Sequence, residues 1–79
     1  MNIARPPLAD SYEGLQSRAQ MARHRGDVPE AITLYQRLVN KLDRLSEAIL
    51  QRRPELREMH LQAGLELTEL LRSEGRFAE

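Results

Sequence analysis

Apolar residues along this chain recur at intervals of three or four, which is the spacing that keeps side chains on one face of an α-helix. Three stretches show this spacing, and together they span nearly the whole chain. The pattern predicts an all-α protein with three antiparallel helices over about residues 11–25, 28–52 and 54–74. The three apolar stripes are Leu8, Tyr12, Leu15, Ala19 and Ala22, then Ala31, Tyr35, Leu38, Leu42, Leu45 and Ile49, then Leu56, Met59, Ala63, Leu67 and Leu70.

Residues that favour helix ends lie at the boundaries of these stretches. Asp10 and Asp27 are each followed three residues later by glutamate, which is the pattern of a capping box at a helix N-terminus. Gly26 and Gly75 can adopt the left-handed conformation that ends many helices. Pro54 disfavours helix at the preceding residue and fits the first turn of a new helix. The linkers are therefore short, and consecutive helices should be antiparallel neighbours.

A length of 79 residues accommodates a single small domain. Two adjacent prolines, Pro6 and Pro7, predict that residues 1–9 form an extended leader, with residues 10–79 as one helical domain. The most polar part of the predicted second helix is residues 40–46, and the pattern leaves open whether the helix runs straight through it.

The charge balance changes which partners are expected. Twelve basic and twelve acidic residues give no formal net charge, whereas nucleic acids and anionic membranes attract basic proteins. There is no cysteine for a disulfide or a thiolate zinc site. No signal-peptide pattern and no membrane-spanning apolar run is visible in the sequence. We therefore expect a soluble, cytoplasmic protein that binds neither nucleic acid nor membrane.

The sequence offers little to catalysis. Its only histidines, His24 and His60, are far apart and form no metal-ligand motif with a neighbouring histidine or glutamate. No serine or threonine lies in a nucleophile elbow, and the scattered glycines form no phosphate-binding loop. We expect no catalytic residue, no metal, no cofactor and no enzymatic activity.

The first predicted turn resembles that of a tetratricopeptide repeat. Repeats of that family have a small residue midway along the first helix, a glycine at the turn, an alanine five residues later and an aromatic residue four beyond. Ala19, Gly26, Ala31 and Tyr35 occupy those places. Residues 67–79 resemble the first helix and turn of a further repeat. The chain is therefore similar to about one and a half repeats with lengthened helices.

The resemblance has departures, and a second family is also similar. Gly26 and Gly75 lie farther apart than the family's period of about 34 residues. Microtubule-interacting-and-trafficking domains, which are three-helix bundles with a similar first hairpin, are the alternative. Either resemblance implies a helical module that binds other proteins.

The tetratricopeptide resemblance also implies a binding groove lined by first-helix side chains. The matching positions are Gln16, Gln20 and Arg23, followed by Leu65, Glu69 and Arg72. Arg23 and Arg72 are equivalent in register and could receive a carboxylate of a bound peptide.

Several leucines fall outside the apolar stripes. Leu61 and Leu65, and also Leu71, project from another side of the third helix, and Leu34 and Leu50 do so on the second. An exposed apolar patch of this kind usually marks an interface. We expect a scaffold or adaptor that binds a peptide or a partner helix. The alternative is a homo-oligomer in which Leu61 and Leu65 meet their copies across a two-fold axis.

Overall fold

A computed structural model describes residues 11–75. These residues form four α-helices and no strand: α1 (Tyr12–Arg25), α2 (Val28–Asp43), α3 (Glu47–Arg52) and α4 (Pro54–Ser73). The all-α prediction is confirmed, whereas the predicted second helix is divided into α2 and α3. The predicted leader over residues 1–9 lies outside the described residues.

Helix α1 is capped at both ends by its own sequence. Ser11, rather than the predicted Asp10, is the N-cap, and its hydroxyl accepts a 2.9 Å hydrogen bond from the backbone N–H three residues later. At the other end Gly26 has a φ of 81°, and the Asp27 N–H donates to the Ala22 carbonyl at 2.9 Å. Only glycine adopts this left-handed conformation at little cost, so Gly26 ends the helix as predicted.

Helix α2 begins directly after that turn. The Asp27 carboxylate accepts a 3.3 Å hydrogen bond from the Glu30 N–H, which confirms the predicted N-cap. The Asp27 N–H donates to the Ala22 carbonyl at the end of α1, so it is not available to the Glu30 side chain. Only the hydrogen bond from the Glu30 N–H to the Asp27 carboxylate forms, which is half of a capping box. The two helices therefore share one tight turn and form a hairpin.

The prediction of one helix over residues 28–52 is wrong because the chain leaves helical geometry at Ser46. Helix α2 ends at Asp43, and the Leu45 N–H donates to the Leu42 carbonyl at 3.1 Å, the tighter bonding typical of a helix end. Ser46 is extended, and its hydroxyl accepts a 3.3 Å hydrogen bond from the Ile49 N–H. Serine side chains compete with helical bonding in this way, and here the competition starts α3.

Helix α2 is the centre of the fold, because it packs against both α1 and α4, while α3 packs against α4. A helix with two packed neighbours needs a broad apolar surface. For this reason Leu34 is buried, and the prediction that it projects away from the core is wrong. Leu50 and Leu71 are half-buried against the core. The core consists of Leu15, Ala19, Ala22, Ala31, Ile32, Leu34, Tyr35, Leu38, Leu42, Leu56, Met59, Ala63 and Leu70.

Candidate functional site

A cavity of about 230 Å³ lies between α1 and α4 with α2 beneath it. Gln16 and Gln20 line it from α1, four residues apart and therefore on one face of that helix. Gln62 and Glu66 line it from α4 with the same spacing. We call this cavity, lined by Gln16, Gln20, Tyr35, Gln62, Ala63 and Glu66, the glutamine groove.

An ion pair ties α1 to α4 beside the groove. The Arg23 Nε lies 3.0 Å from the Glu66 Oε1. The two atoms are close enough to attract, but their alignment does not make a hydrogen bond, and the buried Oε1 has no hydrogen-bond partner among the described residues. Both side chains are partly exposed, so the pair contributes little to stability. Arg23 is thus engaged within the chain, which competes with its expected role as a receptor for a peptide carboxylate.

Tyr35 forms the floor of the groove, and its side chain is almost wholly buried. Burial raises the pKa of the Tyr35 phenol, the Glu66 carboxylate raises it further, and the Arg23 guanidinium partly offsets both. The phenol is therefore protonated and uncharged at neutral pH. The charge of the groove comes from Glu66 at its edge.

The structure does not bring all of the predicted site residues together. Gln16 and Gln20 line the groove, whereas Leu65, Glu69 and Arg72 are not part of its lining. On α4 the lining comes instead from Ala63, which belongs to the apolar stripe, and from Gln62 and Glu66, which flank it. The spacing of apolar residues reveals the stripe, but it does not reveal which flank turns toward α1.

The exposed leucines form a separate surface on α4. Leu61 and Leu65 are 58% and 65% exposed, as predicted, and Gly64 lies beside them. A Cβ added to Gly64 would meet nothing within 4 Å, so packing within one chain does not require glycine there. We call the surface of Leu61, Gly64 and Leu65 the leucine face.

The histidines are not brought together. His24 is exposed in the last turn of α1, and His60 contacts Asp43, with 2.6 Å between Nε2 and Oδ1. Within residues 11–75, no three acidic or histidine side chains gather as metal ligands would. Nor is any helix in that range both long and apolar enough to cross a membrane.

Comparisons with protein-family models, curated proteins and solved structures found no match for this chain. The resemblance to tetratricopeptide repeats therefore rests on its own residues. Ala19 and Ala31 are buried, Gly26 makes the turn and Tyr35 lies in the core. Any closely packed helical hairpin has similar requirements, so family membership stays a hypothesis.

Proposed function

We propose that this chain is a protein-interaction module that binds a peptide segment or a helix of another protein in the glutamine groove. The observation that carries the proposal is the convergence of three glutamines from two helices on one cavity. These side chains have no part in the core, and Gln20 and Gln62 are exposed to solvent. The proposal requires no catalytic step and no cofactor.

The chemistry of the groove suits a peptide backbone. Each glutamine amide offers two N–H donors and a carbonyl acceptor, and these match the N–H and C=O groups of an extended or turning chain. Ala63 and the nearly buried Tyr35 lie among the groove's lining residues and bring apolar groups close to it. Membership of a tetratricopeptide-like family is part of this proposal, since that family lines its groove with first-helix residues such as those at the positions of Gln16 and Gln20.

The test is a selection of peptides from a displayed random library, followed by measurement of their affinity for variants. Replacing Gln20 and Gln62 together by alanine should weaken binding at least about tenfold, because each lost hydrogen bond contributes about 0.5–1.5 kcal/mol. The matched control replaces Gln36 and Gln51, which are exposed outside the groove, and should bind as the parent does. Equal affinity of both double variants would place binding elsewhere.

Self-association through the leucine face is the second candidate, and the exposure of Leu61 and Leu65 favours it. Glycine inside a helix is destabilising by about 0.5–1 kcal/mol relative to alanine. Close approach of a second helix would offset that cost at Gly64.

Light scattering over a hundredfold range of concentration tests this second candidate. It predicts a dimer that Leu65→Glu dissociates and that Met21→Glu leaves intact, since Met21 is also exposed, at 58%, but lies on α1 outside the leucine face. Gly64→Ala should weaken the dimer while stabilising the separated chain by about 0.5–1 kcal/mol. A constant monomer mass at every concentration would exclude self-association.

A further inference from the structure

A second cavity, of about 560 Å³, lies along the later half of α2. Arg37, Lys41 and Arg44 line it at intervals of four and three, so the three cations project from one face of the helix. Leu15 and Asn40 complete the described lining, which contains no carboxylate. We call this site, formed by Leu15, Arg37, Asn40, Lys41 and Arg44, the basic cavity.

Two cations of the basic cavity, Lys41 and Arg44, form no ion pair with any carboxylate of residues 11–75. Arg37 has an interaction of its own, so the argument rests on the other two. Four arginines elsewhere in the same range do form ion pairs, as Arg53 does with Glu55 at 2.7 Å. Lys41 and Arg44 therefore place two cations without a carboxylate partner among the described residues side by side at this cavity.

The Lys41 side chain is also held in position. Its ammonium group lies 5.2 Å from the centroid of the Tyr12 ring, within the range of a cation–π interaction. Lys41 is half-buried, in contrast to Arg44, which is exposed. Leu15 beneath the cavity is fully buried, and the Asn40 amide adds hydrogen-bonding groups. The Lys41 side chain is therefore already restricted in the free chain, so it loses less conformational entropy when a ligand binds.

We propose that the basic cavity docks an acidic segment of a partner protein, with carboxylates of that segment contacting Lys41 and Arg44. Opposite charges steer such an encounter and select against neutral or basic partners. Nucleic acid fits less well, because two unpaired cations neutralise few phosphates and the Tyr12 ring already contacts Lys41. Among the described residues the basic cavity shares no lining with the glutamine groove, so the two proposals are independent.

Fluorescence anisotropy with a labelled peptide tests this proposal. The probe is a peptide of about 12 residues with glutamate at every third or fourth position, and the comparison peptide carries glutamine at those positions. The glutamate peptide should bind the full chain and weaken as salt rises from about 50 to about 200 mM. The glutamine peptide should not bind. Equal binding of both peptides, or no binding of the glutamate peptide, overturns the proposal.

Variants localise the binding. Replacing Lys41 and Arg44 together by glutamine should reduce affinity for the glutamate peptide at least about tenfold, since hydrogen bonds to charged groups are among the stronger ones. The control replaces Arg25 and Arg52 by glutamine. Both are exposed, their replacement removes the same amount of charge, and this variant should bind the glutamate peptide as the parent does. An equal loss in both variants would mean non-specific attraction, which contradicts the proposal.

Two further measurements separate this site from other possibilities. The variant lacking the Gln20 and Gln62 side chains should bind the glutamate peptide normally, whatever happens to peptides selected for the glutamine groove. A single-stranded oligonucleotide of the same charge should bind more weakly than the peptide. Tighter binding of the oligonucleotide would assign the basic cavity to nucleic acid and overturn the proposal.

Discussion

Replacing Leu38 by alanine should destabilise the fold by about 2–5 kcal/mol, the range for removing most of a buried leucine. Leu38 has no exposed surface and lies on α2, the helix that packs against both α1 and α4. Domains of this size have about 4–12 kcal/mol of stability in total. The variant should therefore lose a large share of its stability and unfold at much lower urea concentration, as monitored by far-ultraviolet circular dichroism.

Leu65→Ala is the matched control for that experiment. It removes the same atoms from a side chain that is 65% exposed, so at a protein concentration where the chain is monomeric the free energy of unfolding should change by no more than about 0.5 kcal/mol. Similar shifts of the urea midpoint in the two variants would show that α2 is not the centre of the core.

Enlarging Ala19 to leucine should destabilise the fold by about 1–3 kcal/mol, because a well-packed helix pair has no room for three more carbon atoms. Ala19 lies midway along α1 and is fully buried, and Ala31 on α2 is buried to the same extent. Thermal unfolding at fixed protein concentration measures the effect. The expected result is a lower melting temperature with the helical spectrum retained at low temperature.

Ala48→Leu provides the comparison for this enlargement. Ala48 is exposed on α3, so added volume there meets solvent and should leave stability within about 0.5 kcal/mol of the parent. If Ala19→Leu proved as harmless as Ala48→Leu, then α1 and α2 would not be in close contact, and the hairpin would need revision.

The helices themselves were largely predictable, because they depend on local signals. Apolar spacing, the left-handed Gly26 and the Asp27 cap together define α1 and the start of α2. The break at Ser46 was not predicted because apolar residues continue past it. Contacts distant in sequence accompany the break: His60 binds Asp43 before it, and Arg57 binds Glu47 after it.

The candidate site was predictable on one side only. Gln16 and Gln20 follow from the register of the first helix, which is fixed by the adjacent turn. Which α4 residues line the groove depends on how α4 is rotated about its axis as it packs on α2. No local sequence pattern predicts that rotation. Leu34 illustrates the same limit, since its burial depends on α2 having two packed neighbours.

The most direct test of the central proposal is a nuclear magnetic resonance titration of the ¹⁵N-labelled chain with a peptide selected for binding to it. The glutamine groove predicts that the largest shift changes occur at the side-chain amides of Gln16, Gln20 and Gln62. Amides of Gln36 and Gln51 should stay unchanged. Changes confined to the leucine face or to the basic cavity, with the groove amides unmoved, would contradict the proposed function.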